Sequence, residues 1–469
     1  MCGLFPLVSG CGKKRAPGAE IALSSGPEGW PKAKYGSKSP GYADWCLVWS
    51  KELCVGGYQQ VGVKDARWDE SALSALEEYA HVRVTGHARN PGESDLLDTQ
   101  LRKAINAGCN DPLIRYLYLL RIASPPYSAT PQAAAEYSKV AQQMDASGYA
   151  ILFKCYVNLR TAEAWRAAFV KQAPEVNRFR RQAMDHLQGV LSSQELPAHI
   201  AYEACRDLYD AIDKNKKQRT DFYTQTEPIL LKRWRDEGFP YLIKAQFYLD
   251  YAWEARGDGS ASDLTDEGRR LFVDRLGIAE EAVDKAWKKD PTLAATPLAA
   301  LRLELGQGQG RERMEMWYKR ALAFRLDHPE AIRQKQRYLQ PYWYGSEEES
   351  LAFAREIAKA DLYYGQELLQ PYFVHRDLAQ FFRNSRPGYW TEPQVWPDLE
   401  ACFERFFDRA GDDQAWRNTY ALCAWRCRQW KALDSQLAKL TDVKYDYFGG
   451  KEAYEQFKQK AHELAKQAK

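Results

Sequence analysis

No stretch of this 469-residue sequence reaches the roughly 18 consecutive apolar residues that a membrane-crossing helix needs, so no segment reads as one. An excess of either charge is missing too. Its 66 basic residues face 63 acidic ones, a formal net charge of +3, whereas nucleic-acid binding brings a clear basic surplus. Histidine is scarce: seven are scattered along the chain, and the absence of His-Glu-x-x-His removes the zinc-protease pattern. A Gly-x-Ser-x-Gly elbow is absent, and with it the turn that presents a hydrolase serine. Apolar-polar alternation longer than a few residues is also lacking, which leaves no convincing strand.

What is present reads as helix. The apolar share of 45% and the charged share of 28% are an ordinary globular balance. The length suits about two to three domains or one extended solenoid. Tryptophan (15) and tyrosine (28) are plentiful, and such rings either fill helix interfaces or line a groove.

Residues 253 to 355 organise the reading. Thr265 is an N-cap, and Asp266 and Glu267 put negative charge in the first turn, where the helix dipole favours it. Leu271, Phe272, Leu276, Ala279, Val283, Ala286 and Trp287 then form one apolar stripe, which Asp290-Pro291 ends. Thr296-Pro297 is expected to open the next helix and Gly306 to close it. Met314, Trp317, Ala321 and Phe324 mark a third helix, and residues 330–339 a short fourth. Ser346 and Glu349 have capping-box spacing ahead of Leu351, Phe353, Ala354, Ile357 and Ala358.

Ala279, Ala286 and Pro291 have the spacing of a tetratricopeptide second helix, where small residues let paired helices approach. Here the chain resembles the tetratricopeptide-like superfamily. The blocks Trp253-Glu-Ala-Arg256-Gly-Asp258, Lys285-Ala-Trp-Lys-Lys-Asp-Pro291 and Pro341-Tyr-Trp-Tyr344 look like a bacterial family with such repeats and no assigned activity. Ala107-Gly-Cys-Asn-Asp-Pro112 is similar to a further block of it. The resemblance covers much of residues 100 to 360. The first-helix Trp-Leu-Gly-Tyr pattern is missing and the period is irregular, so divergent repeats are expected.

At the N-terminus, Val8-Ser9-Gly10-Cys11 resembles a bacterial lipobox, with Cys11 as the lipidated residue. No Lys or Arg precedes the apolar run, and the run is shorter than a usual signal core, so residues 1–11 read as a truncated lipoprotein signal. Residues 12–62 follow as a Gly/Pro/Ser-rich tether and an irregular segment. Within it, Tyr42 to Val63 is expected as a short hairpin or irregular stretch. Cys46 and Cys54 stand either as a disulfide in an oxidising envelope or as two partly buried free thiols.

Helical signals fill 70–84, 95–107, 112–122, 131–144, 150–171, 174–191, 197–212, 221–234 and 240–256, with Lys214 to Arg219 read as a basic loop. Beyond the central stretch, 395–409, 413–428 and 451–468 are helical, and 362–384 is aromatic-rich and less regular. The division is N-terminal helical repeats over 63–250, a central tetratricopeptide-like block over 251–361 and C-terminal helices over 362–469.

Several motifs dissolve on inspection. His375-Arg-Asp-Leu378 imitates a kinase catalytic loop but has Phe382 where that loop needs Asn. Gly306-Gln-Gly-Gln-Gly310 follows a helix and not a strand, so it cradles no phosphate. Cys423 and Cys427 lie one helical turn apart without further ligands and read as buried small residues. No cofactor, metal or catalytic residue is expected.

The fold class expected is all-α, an α-solenoid of antiparallel pairs whose concave face holds a protein or peptide partner. Trp253, Arg256, Trp343 and Tyr344 are the candidate groove residues, against their plainer use in holding helices together. The function expected is a non-catalytic binding scaffold, lipid-anchored at the cell envelope. The alternatives are a cytoplasmic adaptor of the same fold and a glycan-acting envelope enzyme. The enzyme needs two carboxylates flanking the scissile bond, and the Glu-Ser context of lytic transglycosylases is absent.

Overall fold

The computed structural model describes residues 41–86, 88–89, 95–169, 174–193, 195–212, 215–257, 264–325, 328–363 and 365–467. Among them every regular element is a helix, and none is long and apolar enough to cross a membrane. Cys11 and the tether to residue 40 lie outside the described residues, as do Lys214 and Asp258. The chain divides into two compact units, residues 1–293 and 294–469, and Leu293 falls inside the 251–361 block.

The first unit begins with α1 (Tyr42–Lys51), which runs through a π-helical turn (Glu52–Gly56) into α2 (Gly57–Val61). Then come α3 (Asp69–Thr85), α4 (Leu96–Asn106) and α5 (Pro112–Tyr118), the last prolonged by a second π-helical turn (Leu119–Ala123). They are followed by α6 (Pro131–Ala146), α7 (Ile151–Ala168), α8 (Pro174–Ser192) and α9 (Ala198–Ile212). The unit ends with α10 (Lys216–Trp234), α11 (Phe239–Arg256) and α12 (Asp266–Lys289). The second unit holds α13 (Ala295–Gln307), α14 (Arg311–Phe324), α15 (Pro329–Tyr338), α16 (Glu347–Lys359) and α17 (Gln370–Phe381). It closes with α18 (Val395–Ala410), α19 (Gln414–Arg426), α20 (Trp430–Ala438) and α21 (Lys451–Gln467).

Side-chain caps start many of these helices. The hydroxyl of Thr265 accepts from Gly268 N at 3.0 Å, and that of Ser346 from Glu349 N at 3.2 Å. Ala279 and Ala286 are fully buried on α12. That helix lies antiparallel to α11, because Trp253 meets Phe272, Arg275 bonds Tyr251 O and Lys285 covers Tyr241: one index rises as the other falls. Gly238 marks the tight end of the pair, where an added Cβ would come within 2.8 Å of Ala286 O. The pair α6–α7 runs the same way: Trp165 Nε1 donates to Ser138 Oγ, and Asn158 Nδ2 to Asp145 Oδ1. So does α10–α11, where Tyr223 stacks on Phe247 at 4.0 Å and Lys244 pairs with Glu227.

The structure corrects several expectations. Residues 42–61 are helical, not a hairpin: the π-helical turn at Glu52–Gly56 carries the chain on, with Cys54 and Tyr58 both buried. Cys54 lies eight helical steps beyond Cys46, about 12 Å of rise, beyond the ~7 Å a disulfide spans. Both are free, buried thiols. Thr296 lies inside α13 with its hydroxyl buried and does not cap it, since the helix opens at Ala295; Gly308, at φ 62°, closes the helix in place of Gly306. The predicted basic loop is helical from Lys216, because the Asn215 side chain accepts from Gln218 N at 3.0 Å. Helix α20 lies in a stretch where no helix is predicted.

Candidate functional site

The four expected groove residues fall into two local pairs, one in each unit. Arg256 stands 5.6 Å from the Trp253 ring at the end of α11, and that ring packs edge-on to Phe272 at 5.3 Å. Trp253 thus joins α11 to α12. Trp343 and Tyr344 occupy the turn after α15 with ring centroids 6.3 Å apart. Tyr344 packs on Tyr338 with centroids 4.8 Å apart and planes tilted by 36°, and its hydroxyl donates to Leu305 O at 3.2 Å. The ring fits only because residue 308 is glycine: a Cβ there would come within 2.4 Å of it.

A larger polar-aromatic surface, not singled out in the sequence, lies in the first unit. Its centre is α9. At helical spacing, His199, Tyr202, Glu203, Arg206, Asp207 and Asp210 share one face. Ala201, Ala204, Cys205, Leu208 and Ala211 share the other, which is buried. The polar face meets odd-numbered neighbours. Arg160 of α7 bonds Asp207 at 2.7 Å, and the Tyr209 hydroxyl donates to Asp250 of α11 at 2.7 Å. On the far side of α7, Arg83 of α3 stands 5.5 Å from the Tyr156 ring. Arg219, reaching in from α10, pairs with both Asp250 and Glu254. A small concavity between α9, α10 and α11 is lined by Tyr209, by Lys216, Arg219 and Thr220 of α10, and by Phe247, Asp250, Tyr251 and Glu254 of α11.

The charges along this wall are not all neutralised. Neither Glu203 nor Asp210 has an ion pair or side-chain hydrogen bond with another described residue. Burial pushes both carboxyls above the ordinary carboxylate range, against the opposing pull of Arg206 on each and of Arg83 on Glu203. Burial, with Arg83 beside it, pushes His199 down to about 4. His199 Nδ1 sits 2.8 Å from the Tyr42 hydroxyl of α1. Arg83 keeps one buried Nη1 without a hydrogen-bond partner among the described residues.

Two other clusters are buried frameworks and not open sites. Asp111, fully buried at the N-cap of α5, accepts from Leu113 N (2.9 Å), Ile114 N (3.2 Å), Val63 N (2.9 Å) and the Tyr149 hydroxyl (2.9 Å). This single carboxylate ties the segment after α2 to α5 and to the start of α7. In the second unit His375 is fully buried on α17, between the Tyr389 hydroxyl (2.8 Å) and Asp398 of α18 (3.0 Å). The kinase-like tetrapeptide is therefore part of a packed helix.

Cys423 and Cys427 are both buried, and burial pushes the Cys427 thiol up to about 12. No group of three or more potential metal ligands occurs among the described residues. Glu203 and Asp210 project from one face of one helix, two turns or about 10 Å apart. They do not face each other across a bond.

Sequence periodicity could have drawn attention to α9, since its polar and apolar positions separate cleanly. It could not show that the polar face lies against α7 and α11. No protein-family model and no curated protein matches this chain.

Proposed function

We propose that this protein is a non-catalytic helical-repeat scaffold, an α-solenoid of divergent antiparallel pairs that holds a protein or peptide partner along its first unit. One observation carries the reading. The polar-aromatic wall is supplied mainly by α3, α7, α9 and α11, odd-numbered helices, with the start of α10 (Lys216, Arg219 and Thr220) reaching in at one end. Stacked helix pairs give that alternation, since each pair contributes the same helix to the same face. Open carboxylates at Glu203 and Asp210, together with tyrosines, suit hydrogen-bonded recognition of a partner. The chemistry of hydrolysis lacks its opposed pair there. Val8-Ser9-Gly10-Cys11 supports an envelope address through a lipid on Cys11.

A photo-crosslinking residue in place of Asp210, exposed on the wall, tests the binding face. The control position is Gln142, exposed on even-numbered α6. A discrete protein adduct from position 210 and none from 142 is the expected outcome, while adducts of equal yield from both, or none from 210, overturn the reading. Metabolic labelling with a fatty-acid precursor tests the address. Label should enter the full chain and disappear in Cys11→Ala, and an unlabelled wild-type chain removes the envelope part of the proposal.

A further inference from the structure

Four helices of the first unit bring together polar side chains that the fold leaves without partners. One helical turn separates Tyr79 from Arg83 on α3, Tyr156 from Arg160 on α7, and His199 from Glu203 on α9. Tyr116 of α5 completes the set.

Arg83 is their common neighbour. Its guanidinium stands 5.5 Å from the Tyr156 ring and acts electrostatically on the Tyr79 hydroxyl and the Glu203 carboxylate. Tyr116 acts in the same way on Tyr79, Tyr156 and Arg160. None of the three tyrosine hydroxyls has a hydrogen-bond partner among the described residues, although Tyr116 is only 3% exposed. The buried Nη1 of Arg83 and the Glu203 carboxylate are likewise open. Polar groups withdrawn from water are normally paired, so five left open in one place point to an occupant from outside the chain. Tyr79, Arg83, Tyr156 and Glu203 are half-buried, which leaves solvent a way in.

The charges select that occupant. Arg160 is taken by Glu163 and Asp207, and Arg206 by Asp207. Arg83 has no carboxylate within ion-pair distance among the described residues. His199 bonds Tyr42 and, pushed down to about 4, carries no charge at neutral pH. Burial also raises the Glu203 carboxyl against the pull of Arg83. One unpaired guanidinium calls for one negative charge, and its fork matches a carboxylate. A dianion would leave excess charge in a site partly withdrawn from water. The tyrosine hydroxyls donate or accept and Glu203 accepts, so the rest of the occupant must carry hydroxyls of its own.

We propose that this site binds a small hydroxylated carboxylic acid of the sugar-acid type, its carboxylate on Arg83 and its hydroxyls on Tyr79, Tyr116, Tyr156 and Glu203. The groups converge on one guanidinium from four helices, which suits a small molecule and not an extended peptide. The site adds a ligand to the partner-binding wall and does not depend on the partner.

Isothermal titration of the full chain with gluconate and with glucuronate tests this. The comparisons are glucose, which lacks the carboxylate, hexanoate, which lacks the hydroxyls, and inorganic phosphate. At least one of the two acids should bind, and more tightly than all three comparisons. Arg83→Met removes the charge at similar length and should weaken that binding about tenfold, the scale of a charged hydrogen bond. Tyr156→Phe removes a single hydroxyl and should weaken it roughly threefold. That hydroxyl has no partner in the fold, so this variant keeps the test sound if Arg83→Met alters the unfolding transition.

No binding of either acid, equal binding of glucose or hexanoate, or an affinity unchanged in both variants overturns the proposal. Tighter phosphate binding also overturns it and assigns Arg83 to a phosphate group. The titrations need no protein partner, so they fail separately from the Asp210 crosslink.

Discussion

Asp111→Ala is expected to destabilise the first unit by about 4 kcal/mol, the largest effect of any single substitution considered for this chain. The carboxylate is fully buried and satisfies four donors: the amides of residues 63, 113 and 114 and the Tyr149 hydroxyl. Alanine leaves all four without an acceptor in a site closed to water, where each costs roughly 1–3 kcal/mol. Some of that is recovered, because a buried charge is no longer desolvated, which keeps the total below the sum. Asp111→Asn keeps one acceptor oxygen but turns an NH2 toward a donor, so its effect should be about half as large.

Urea denaturation of the full chain gives the magnitude, and amide hydrogen exchange locates it in α5 and the segment after α2. A loss under 1 kcal/mol for Asp111→Ala would mean that water enters to replace the carboxylate.

The second large effect is expected in the other unit. Asp398 accepts from His375 Nε2 at 3.0 Å and from both Arg355 Nε (2.8 Å) and Nη2 (2.7 Å), joining α16, α17 and α18 through one side chain. Asp398→Ala strands a fully buried imidazole and should destabilise α16–α18 by about 3 kcal/mol. Arg355→Ala should cost less, since that side chain is 38% exposed and water replaces part of the bond.

The pH dependence has a definite sign. Burial alone would raise the Asp398 carboxyl, but the hydrogen bond from His375 and the paired bonds from Arg355 outweigh it and hold it below the ordinary value. A depressed carboxyl contributes stability that is present above its unfolded value of about 3.9 and is lost as pH falls through the folded value. Wild type and Asp398→Asn should therefore converge in stability below about pH 4 and differ most above it. Curves that stay parallel from pH 7 to 3 would show that Asp398 contributes no acid-linked stability.

Much of the helical layout was legible because helix boundaries are local. Thr265, Ser346 and the Asp290-Pro291 break act on backbone groups within a few residues, so their roles follow from neighbours in sequence. The misreadings also have physical causes. Aromatics, two cysteines and Gly56-Gly57 make residues 42–63 read as a short hairpin or irregular stretch, of which 42–61 are helical. The structure keeps them helical because the π-helical turn places Cys54 and Tyr58 against the buried side of α3. Thr296 has the chemistry of a cap but sits two residues past the N-cap position, Ala294, because the backbone turns at Asp290–Thr292, where the Asp290 carboxylate accepts from Thr292 N.

The candidate sites divide along the same line. Sequence alone determined that the chain is helical, where most helices begin and end, and which face of each is apolar, because hydrogen bonding at i to i+4 and the 3.6-residue period are properties of short segments. It drew notice to Trp253, Arg256, Trp343 and Tyr344 but did not assign Trp253 to the α11–α12 joint or Tyr344 to the space above Gly308. Only tertiary structure decided that the polar face of α9 meets α7 and α11, that Tyr42 reaches His199 across 157 residues, and that the Tyr342 ring packs on Phe381. Those pairings depend on loop-set register and on side-chain shape between distant helices, and the helical period carries neither.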